Sequence, residues 1–181
     1  MAHPWHDISL PDSGMETFPA VIEVPRGSKN KYELDKHSGL LMVDRVLYSS
    51  MHYPANYGFI PRTLAEDGDP LDVLVLGQEP VYPRTIVIAR PIASFRMRDE
   101  KGLDDKVVCV HVHDPAFRAY TDLQQLPSHV VTEMMHFFDS YKQLEGKLAE
   151  VGRLQTREET LRIIVESVER YRQHFPEKAT S

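Results

Sequence analysis

Helix-type periodicity is missing from the first two thirds of this chain, and no other feature of the sequence limits the fold as strongly. Most of the thirteen prolines lie in this part, where they separate short runs of β-branched residues. This pattern predicts strands over residues 20–24, 31–36, 40–48, 71–76, 84–95 and 106–111. Because no helical segment lies between them, we expect a small antiparallel barrel and not parallel strands joined by helices.

Two helices are predicted at the end of the chain. Apolar residues at helical spacing run from residue 127 or 128 to 144, just before Gly146. A second helix is predicted from the capping-box pattern Thr156-Arg157-Glu158-Glu159 to a point before Pro176. The fold class is therefore α+β, mainly β, with a barrel flanked by two C-terminal helices. Since single domains run to about 100–200 residues, residues 1–181 are expected to form one domain.

Charge and composition exclude several classes of function. The net charge is −6, and a protein that mainly binds nucleic acid needs a basic surplus. One cysteine, Cys109, cannot form a disulfide framework or a Cys-rich zinc site. No apolar run approaches the ~18 residues that span a membrane, and the N-terminus lacks the pattern of a signal peptide. A soluble, cytoplasmic protein is expected.

The strongest sign of function is the acidic segment Asp67-Gly68-Asp69-Pro70-Leu71-Asp72. Gly68 and Pro70 impose a turn, so its three carboxylates can converge as oxygen ligands of a hard divalent cation. An EF-hand starting at Asp67 is excluded because its sixth and twelfth positions would be Asp and Gln. No phosphate-binding GxxxxGK motif is present. A solvated acidic turn is the alternative interpretation.

Further charges lie where they would meet this segment. A second acidic stretch, residues 99–106, follows a predicted strand and could reach the same end of the barrel. Charged residues also interrupt three strand patterns: Glu23, the pair Lys31 and Glu33, and Arg45. A half-buried charge must be paired or bind something charged. One such residue usually indicates a salt bridge, whereas three consecutive cases predict a polar pocket.

These motifs together resemble the soluble inorganic pyrophosphatases of the first structural family, over roughly residues 21–147. The matching blocks are Lys31-Tyr32-Glu33, Val43-Asp44-Arg45, Tyr53-Pro54-Ala55-Asn56-Tyr57-Gly58, the 67–73 segment, Asp99-Glu100 with Gly102, Asp104 and Lys106, and Phe137-Phe138 with Tyr141-Lys142. The resemblance implies a five-stranded OB-like barrel, Mg²⁺ dependence and hydrolysis of pyrophosphate to two phosphates. It also implies a homo-oligomer, since bacterial members are typically hexamers.

The resemblance assigns a role to each matching residue. Asp69 would be the general base, with Tyr57 and Arg45 also catalytic. The metal ligands would be Asp67, Asp72, Asp99 and Asp104. Phosphate would be bound by Lys31, Arg45, Tyr57, Lys106, Tyr141 and Lys142, and the pocket completed by Glu23, Glu33, Tyr53 and Glu100.

Two alternatives stay open from the sequence alone. A non-catalytic OB-type module could bind oligonucleotides, although the acidic charge and the scarcity of aromatic–basic pairings disfavour it. A divalent-dependent phosphatase acting on nucleotides would use a similar acidic site. The resemblance weakens after Lys147, where the tryptophan and basic residues common in bacterial members are missing, so the C-terminal packing is not predicted.

Overall fold

The structure is a computed structural model that describes residues 2–12, 14–99 and 102–179. These residues form strands β1 Phe18–Val24, β2 Asn30–Leu34, β3 Leu41–Val46, β4 Asn56–Phe59, β5 Asp72–Leu76, β6 Ile86–Asp99, β7 Gly102–His111 and β8 Glu150–Gln155, and helices α1 Ser128–Ser140, α2 Arg157–His174 and α3 Pro176–Ala179. Short 3₁₀ turns lie at Leu123–Gln125 and Gln143–Glu145. Within these described ranges, no helix is long and apolar enough to cross a membrane.

Five strands close into a ring in the order β1-β4-β5-β7-β6, because β6 also pairs with β1. This confirms the predicted fold class, a mainly β barrel with C-terminal helices. The expectation of purely antiparallel pairing is wrong at one position, since β5 and β7 run parallel. Their N-terminal ends therefore lie at the same edge of the barrel, with Asp72 directly opposite Lys106.

Several predicted boundaries differ from the structure. The acidic stretch 99–106 is mostly strand and not loop, because β6 and β7 form a long hairpin that pairs Asp99 with Gly102. Two strands were not predicted: β4, which contains Asn56 and Gly58, and β8, which pairs with the end of β6. Helix α1 ends at Ser140, four residues earlier than predicted, and the chain tightens into the 3₁₀ turn 143–145.

Gly58 lets two strands of the barrel approach each other closely. A Cβ atom at this position would lie 1.9 Å from the backbone oxygen of Val21 on β1. Only glycine avoids this clash. The pairing of β1 with β4 therefore needs a glycine here, although glycine has a low strand propensity.

The core has two main parts, one on each face of the barrel strands, as the alternation of Val73 and Leu74 between them shows. In the first, Met134, Phe137 and Phe138 of α1 pack on β-strand residues that include Phe95. In the second, α2 lies against β6, and its Ile164 is fully buried. Helix α2 starts with the predicted capping box, formed by Thr156 and Glu159. The hairpin of β2 and β3 is a separate two-stranded sheet beside the barrel.

Candidate active site

An open cleft with about 820 Å³ of empty space lies where the ends of β5 and β7 meet the β2–β3 hairpin. Six carboxylates and four lysines line it among the described residues: Glu23, Glu33, Asp67, Asp69, Asp72 and Asp104, with Lys31, Lys36, Lys106 and Lys142. Tyr57 and Tyr141 add hydroxyl groups to the same walls. The sequence thus folds so that residues up to 119 positions apart, from Glu23 to Lys142, converge in one highly charged space.

Lys106 is the centre of the cleft floor. Its ammonium nitrogen lies 2.6 Å from a carboxylate oxygen of Asp72 and 2.6 Å from one of Asp104. It also donates to the Tyr57 hydroxyl at 3.1 Å, and that hydroxyl donates to Asp72. Asp104 and Lys106 share a face because side chains alternate along β7. The residue between them, Asp105, forms a bidentate pair with Arg96 at 2.9 and 2.6 Å.

Burial and charge together shift the pKa values on this floor. Burial alone would lower the pKa of Lys106, but Asp104 and Asp72 outweigh it and raise that pKa well above its usual value. Burial raises the pKa of Asp72, with Asp104 adding to the rise and Lys106 opposing it. Burial, followed by the charge of Asp72, also raises the pKa of Tyr57 far enough to keep its phenol neutral. The floor is therefore a coupled network with more carboxylate than one lysine can satisfy.

Glu23 is a further buried carboxylate on β1. Its oxygen accepts a hydrogen bond from the Leu34 amide at 2.8 Å, which ties the hairpin to the barrel. Burial, and then the charge of Asp72, raises the pKa of Glu23 to about 8. At neutral pH, and with no metal ion bound beside it, this side chain keeps its proton.

Asp67 and Asp69 lie on the turn before β5 and are more open to solvent. Gly68 adopts a φ of +86°, and the Asp69 amide donates to the Asp67 carboxylate at 3.1 Å. The side chain of Asp69 is 42% exposed and pairs with Lys36, which is 49% exposed. Partial burial raises the pKa of Asp67, and the nearby charges of Asp69 and Asp72 add to that rise, although one side of this residue faces solvent. This confirms the bent acidic segment that the sequence predicts.

The hairpin brings a chain of alternating charges to one wall. Lys31 pairs with Glu33 and lies 3.1 Å from Asp44. Asp44 in turn accepts from Nη1 of Arg45, and Nε of Arg45 donates to Glu145 at 2.9 Å. The remaining guanidinium nitrogen, Nη2, is buried without a hydrogen-bond partner within the described residues. An unsatisfied buried donor costs about 1–3 kcal/mol, so this nitrogen is suited to an incoming anion.

The residues after α1 complete the opposite wall. Tyr141 and Lys142 are both buried, and the Lys142 ammonium lies 5.6 Å from the centre of the Tyr141 ring. Burial raises the pKa of Tyr141, while the positive charges of Lys106 and Arg45 oppose that rise. Tyr53 lies behind this wall, packed on Tyr57 and Phe137, and is not among the residues that line the cleft.

Most of the predicted site residues are therefore brought together. Arg45 and Tyr53 stand behind the lining and not in it. The side chain of Asp99 and the whole of Glu100 lie outside the described residues. Sequence reasoning missed Lys36 and Glu145. Lys36 follows the Lys31-Tyr32-Glu33 block and Glu145 follows Tyr141-Lys142, so proximity to a recognised block is the signal that could have found them.

The donor set of the cleft fits a hard divalent cation. Its ligating groups are carboxylate oxygens, and no histidine or cysteine lines it in the parts of the chain described. As folded here, the described side chains do not form a group of three or more metal-ligating residues. Lys106 instead lies between Asp72 and Asp104 and neutralises part of their charge. The surplus of carboxylates over lysines among the described lining residues favours cations bound next to this lysine.

Comparisons with known proteins agree with this chemistry. The sequence model of a family described as inorganic pyrophosphatase matches residues 20–172. The chain belongs to this family. It is 48% identical over 174 residues to soluble inorganic pyrophosphatase 2 of Chlamydomonas reinhardtii, covering 96% of this chain and 91% of that protein. It is 54% identical over 146 residues to a soluble inorganic pyrophosphatase of Solanum tuberosum, covering 81% and 69%.

Solved structures give the same result. The inorganic pyrophosphatase of Thermus thermophilus superposes with a TM-score of 0.89 at 41% identity, covering 93% of this chain and 99% of that one. The enzyme of Helicobacter pylori superposes with a TM-score of 0.86 at 36% identity, covering 91% and 98%. The chain is thus an inorganic diphosphatase that hydrolyses pyrophosphate to phosphate, in a family of metal-dependent enzymes. The oligonucleotide-binding and nucleotide-phosphatase alternatives are not favoured.

Proposed function

We propose that this pyrophosphatase uses Mg²⁺ and that Asp69 is the general base that takes a proton from the attacking water. One observation carries this proposal: the turn carboxylates and the buried carboxylates face the same lysines across one cleft. Pyrophosphate is a compact, multiply charged anion, so its hydrolysis needs cations around it and a base beside the attacked phosphorus.

Mg²⁺ is the proposed metal because the ligands on offer are carboxylate oxygens. Asp67, Asp72 and Asp104 would hold it, with Asp99 contributing as the resemblance implies. Hard oxygen ligands and retained water are typical of Mg²⁺ bound next to phosphate groups. When bound, Mg²⁺ neutralises phosphate oxygens and lowers the pKa of a coordinated water.

The protein's own side chains would divide the remaining work. Lys31, Lys106 and Lys142 neutralise phosphate oxygens as point charges, whereas Arg45 offers a planar fork. Tyr57 and Tyr141 donate hydrogen bonds without adding charge, since burial keeps both phenols neutral. Glu23 and Glu33 fix the hairpin and Lys31, respectively. Catalysis then depends on positioning and on charge stabilisation.

Asp69 suits the role of base better than Asp72 does. Asp72 already accepts from both Lys106 and Tyr57 at the same oxygen, Oδ2, and its side chain is only 23% exposed. Asp69 has only the exposed Lys36 as an ion-pair partner in the described residues, and its side chain is 42% exposed. It can therefore take a proton and pass it on to solvent.

We also propose that the enzyme is a cytoplasmic homohexamer in which α1 contributes to a subunit contact, and that residues 1–181 form a single domain. The family match over residues 20–172 supports one domain. Exposed apolar side chains on the hairpin, among them Met42 and Val46, support assembly in general. Light scattering at micromolar concentration tests the assembly, and a monomeric mass would contradict it.

The test of the activity is phosphate release from pyrophosphate and from ATP, with Mg²⁺ and with a chelator. We expect rapid release from pyrophosphate only when Mg²⁺ is present, and slow release from ATP because most of the described lining residues are charged groups that suit a compact anion. Equal rates on the two substrates would contradict the proposed specificity. Activity that survives chelation would contradict the metal requirement.

A further inference from the structure

We infer that Glu145 is a positioning residue that orients the guanidinium of Arg45 towards a phosphate of the substrate. Arg45 Nε donates to a Glu145 oxygen at 2.9 Å across 100 residues of sequence. The Glu145 side chain is 7% exposed and that of Arg45 is 20% exposed, so solvent does not compete strongly for this contact. The inference rests on the proposed role of Arg45 in binding phosphate.

Glu145 is itself held by the wall that binds substrate. Its amide donates to the carbonyl of Lys142 at 3.0 Å within the 3₁₀ turn that follows Tyr141. The position of its carboxylate is therefore coupled to the backbone that presents Tyr141 and Lys142 to the cleft. Arg45 comes from the opposite side, on β3, so the contact joins the two walls.

A guanidinium is planar, so fixing two of its nitrogens determines the third. Glu145 accepts a hydrogen bond from Nε, and Asp44 accepts one from Nη1. Nη2 is left buried and without a hydrogen-bond partner in the described part of the chain. The charge of Arg45 reaches Tyr141, a lining residue, where it opposes the rise in the tyrosine pKa. The guanidinium is thus held on two sides, and its third nitrogen keeps a donor that no described group uses.

A purely structural link between the walls would not need this arrangement. Well-packed apolar residues often replace a buried ion pair at no cost in stability, and they leave no donor unsatisfied. An arginine with one buried, unpaired nitrogen is better explained as a group prepared for a ligand.

Two conservative variants separate the position of the carboxylate from its charge. Glu145→Asp keeps the charge but withdraws the oxygen by one methylene, whereas Glu145→Gln keeps an acceptor oxygen in place without the charge. We expect Glu145→Asp to raise KM for pyrophosphate about 10-fold at saturating Mg²⁺, the effect of weakening one charge-assisted hydrogen bond. Glu145→Gln should stay within about threefold of the native KM. The surface variant Glu158→Gln, which breaks an exposed pair with Arg162, is the control.

A double-mutant cycle with Arg45→Ala shows whether Glu145 acts through Arg45. In that background Glu145→Asp should change KM by less than about twofold, because the group it positions is gone. An equal rise in KM in both backgrounds would indicate a structural role and overturn the inference, as would a Gln variant as impaired as the Asp variant. If Arg45→Ala alone leaves KM and kcat unchanged, Arg45 does not bind phosphate. This outcome would contradict the proposed function, and it differs from the outcomes that contradict only the role of Glu145. Thermal unfolding of each variant identifies any that do not fold.

Discussion

Asp72 and Asp104 stand on paired strands, whereas Asp67 and Asp69 stand on a turn, and the two regions hold their carboxylates in different ways. On the strands, burial raises the pKa of Asp72, and Lys106 lies 2.6 Å from both carboxylates. On the turn, Asp69 is 42% exposed and pairs with an exposed lysine. Rigid, desolvated carboxylates suit a bound cation, while an accessible one suits proton transfer. One short acidic motif thus supplies two kinds of group.

Neutralising one carboxylate from each region tests this division most directly. Asp69→Asn is expected to lower kcat by about 10²–10⁴-fold, the usual contribution of a positioned base, while the Mg²⁺ concentration needed for activation stays nearly the same. Asp72→Asn is expected to weaken Mg²⁺ binding, so that part of its lost activity returns at high metal concentration. Activity is titrated against Mg²⁺ for both variants. If metal rescues Asp69→Asn and not Asp72→Asn, the two roles are reversed.

Each region has a lysine that pairs with its carboxylates, Lys106 on the strands and Lys36 beside the turn. Removing each lysine in turn shows how much its ion pairs contribute to stability. Lys106→Met removes the buried cation that half-buried Asp72 and Asp104 share, and we expect a loss of about 3–5 kcal/mol in the free energy of unfolding without metal. Lys36→Met removes the exposed partner of Asp69 and should cost less than about 1 kcal/mol. Urea unfolding in the presence of a chelator measures both.

Added Mg²⁺ extends the same experiment. A cation that binds only the folded protein stabilises it by mass action, and it would replace part of the positive charge that Lys106→Met removes. The difference in the free energy of unfolding between Lys106→Met and Lys36→Met should therefore become smaller as Mg²⁺ is added. A difference that does not change with Mg²⁺ would mean that the strand carboxylates do not bind the metal.

The sequence predicted the turn better than the strands around it. Gly68 and Pro70 define the bend locally, so the convergence of Asp67 and Asp69 follows from a few neighbouring residues. The pairing of Asp72 with Lys106 depends on the parallel contact of β5 with β7, which joins residues 34 positions apart. The prediction of an antiparallel barrel could not contain that contact.

Strand β4 and Glu145 show the same limit. Asn56 and Gly58 are poor strand formers, and β4 exists because the ring needs a strand between β1 and β5. Glu145 gains its role only when Arg45 reaches it across 100 residues. The resemblance named candidate residues for the site, but these contacts depend on tertiary structure, which neither local propensity nor motif spacing describes.

Glu23, a strand carboxylate that forms no ion pair with the described lysines, gives the strand region a distinct pH dependence. Its pKa is about 8 in the folded protein against 4.5 ordinarily, so between these values the folded state keeps a proton that the unfolded state releases. Stability without metal therefore falls as pH rises from about 4.5 to 8 and levels off above that. Glu23→Gln keeps an acceptor for the Leu34 amide and should remove this loss, giving a gain on the order of 4 kcal/mol by pH 8.

Chemical unfolding of the native protein and Glu23→Gln at several pH values, with chelator present, measures this gain. It should be small at pH 5 and largest at pH 8. Glu158→Gln on the surface of α2 serves as the control with no expected gain. A Glu23→Gln variant that is equally stabilised at pH 5 and pH 8 would show that titration of this carboxyl is not the cause.

Gly68 gives the smallest expected effect and tests how much the turn depends on its own geometry. Its φ of +86° disfavours any residue with a Cβ, but a Cβ there would meet no atom within 4 Å. Gly68→Ala should therefore cost only backbone strain, about 1 kcal/mol, and Gly68→Asn less, since asparagine tolerates this conformation.

Gly14, away from the cleft, shares both properties, with a φ of +69° and open space around the position of an added Cβ, so Gly14→Ala is the matched control. Both alanine variants should lose similar stability in urea, yet only Gly68→Ala should lower kcat, because relaxing its strain moves Asp67 and Asp69. Equal kcat values for the two would mean that the turn tolerates displacement, and that the accessibility of Asp69 matters more than its placement.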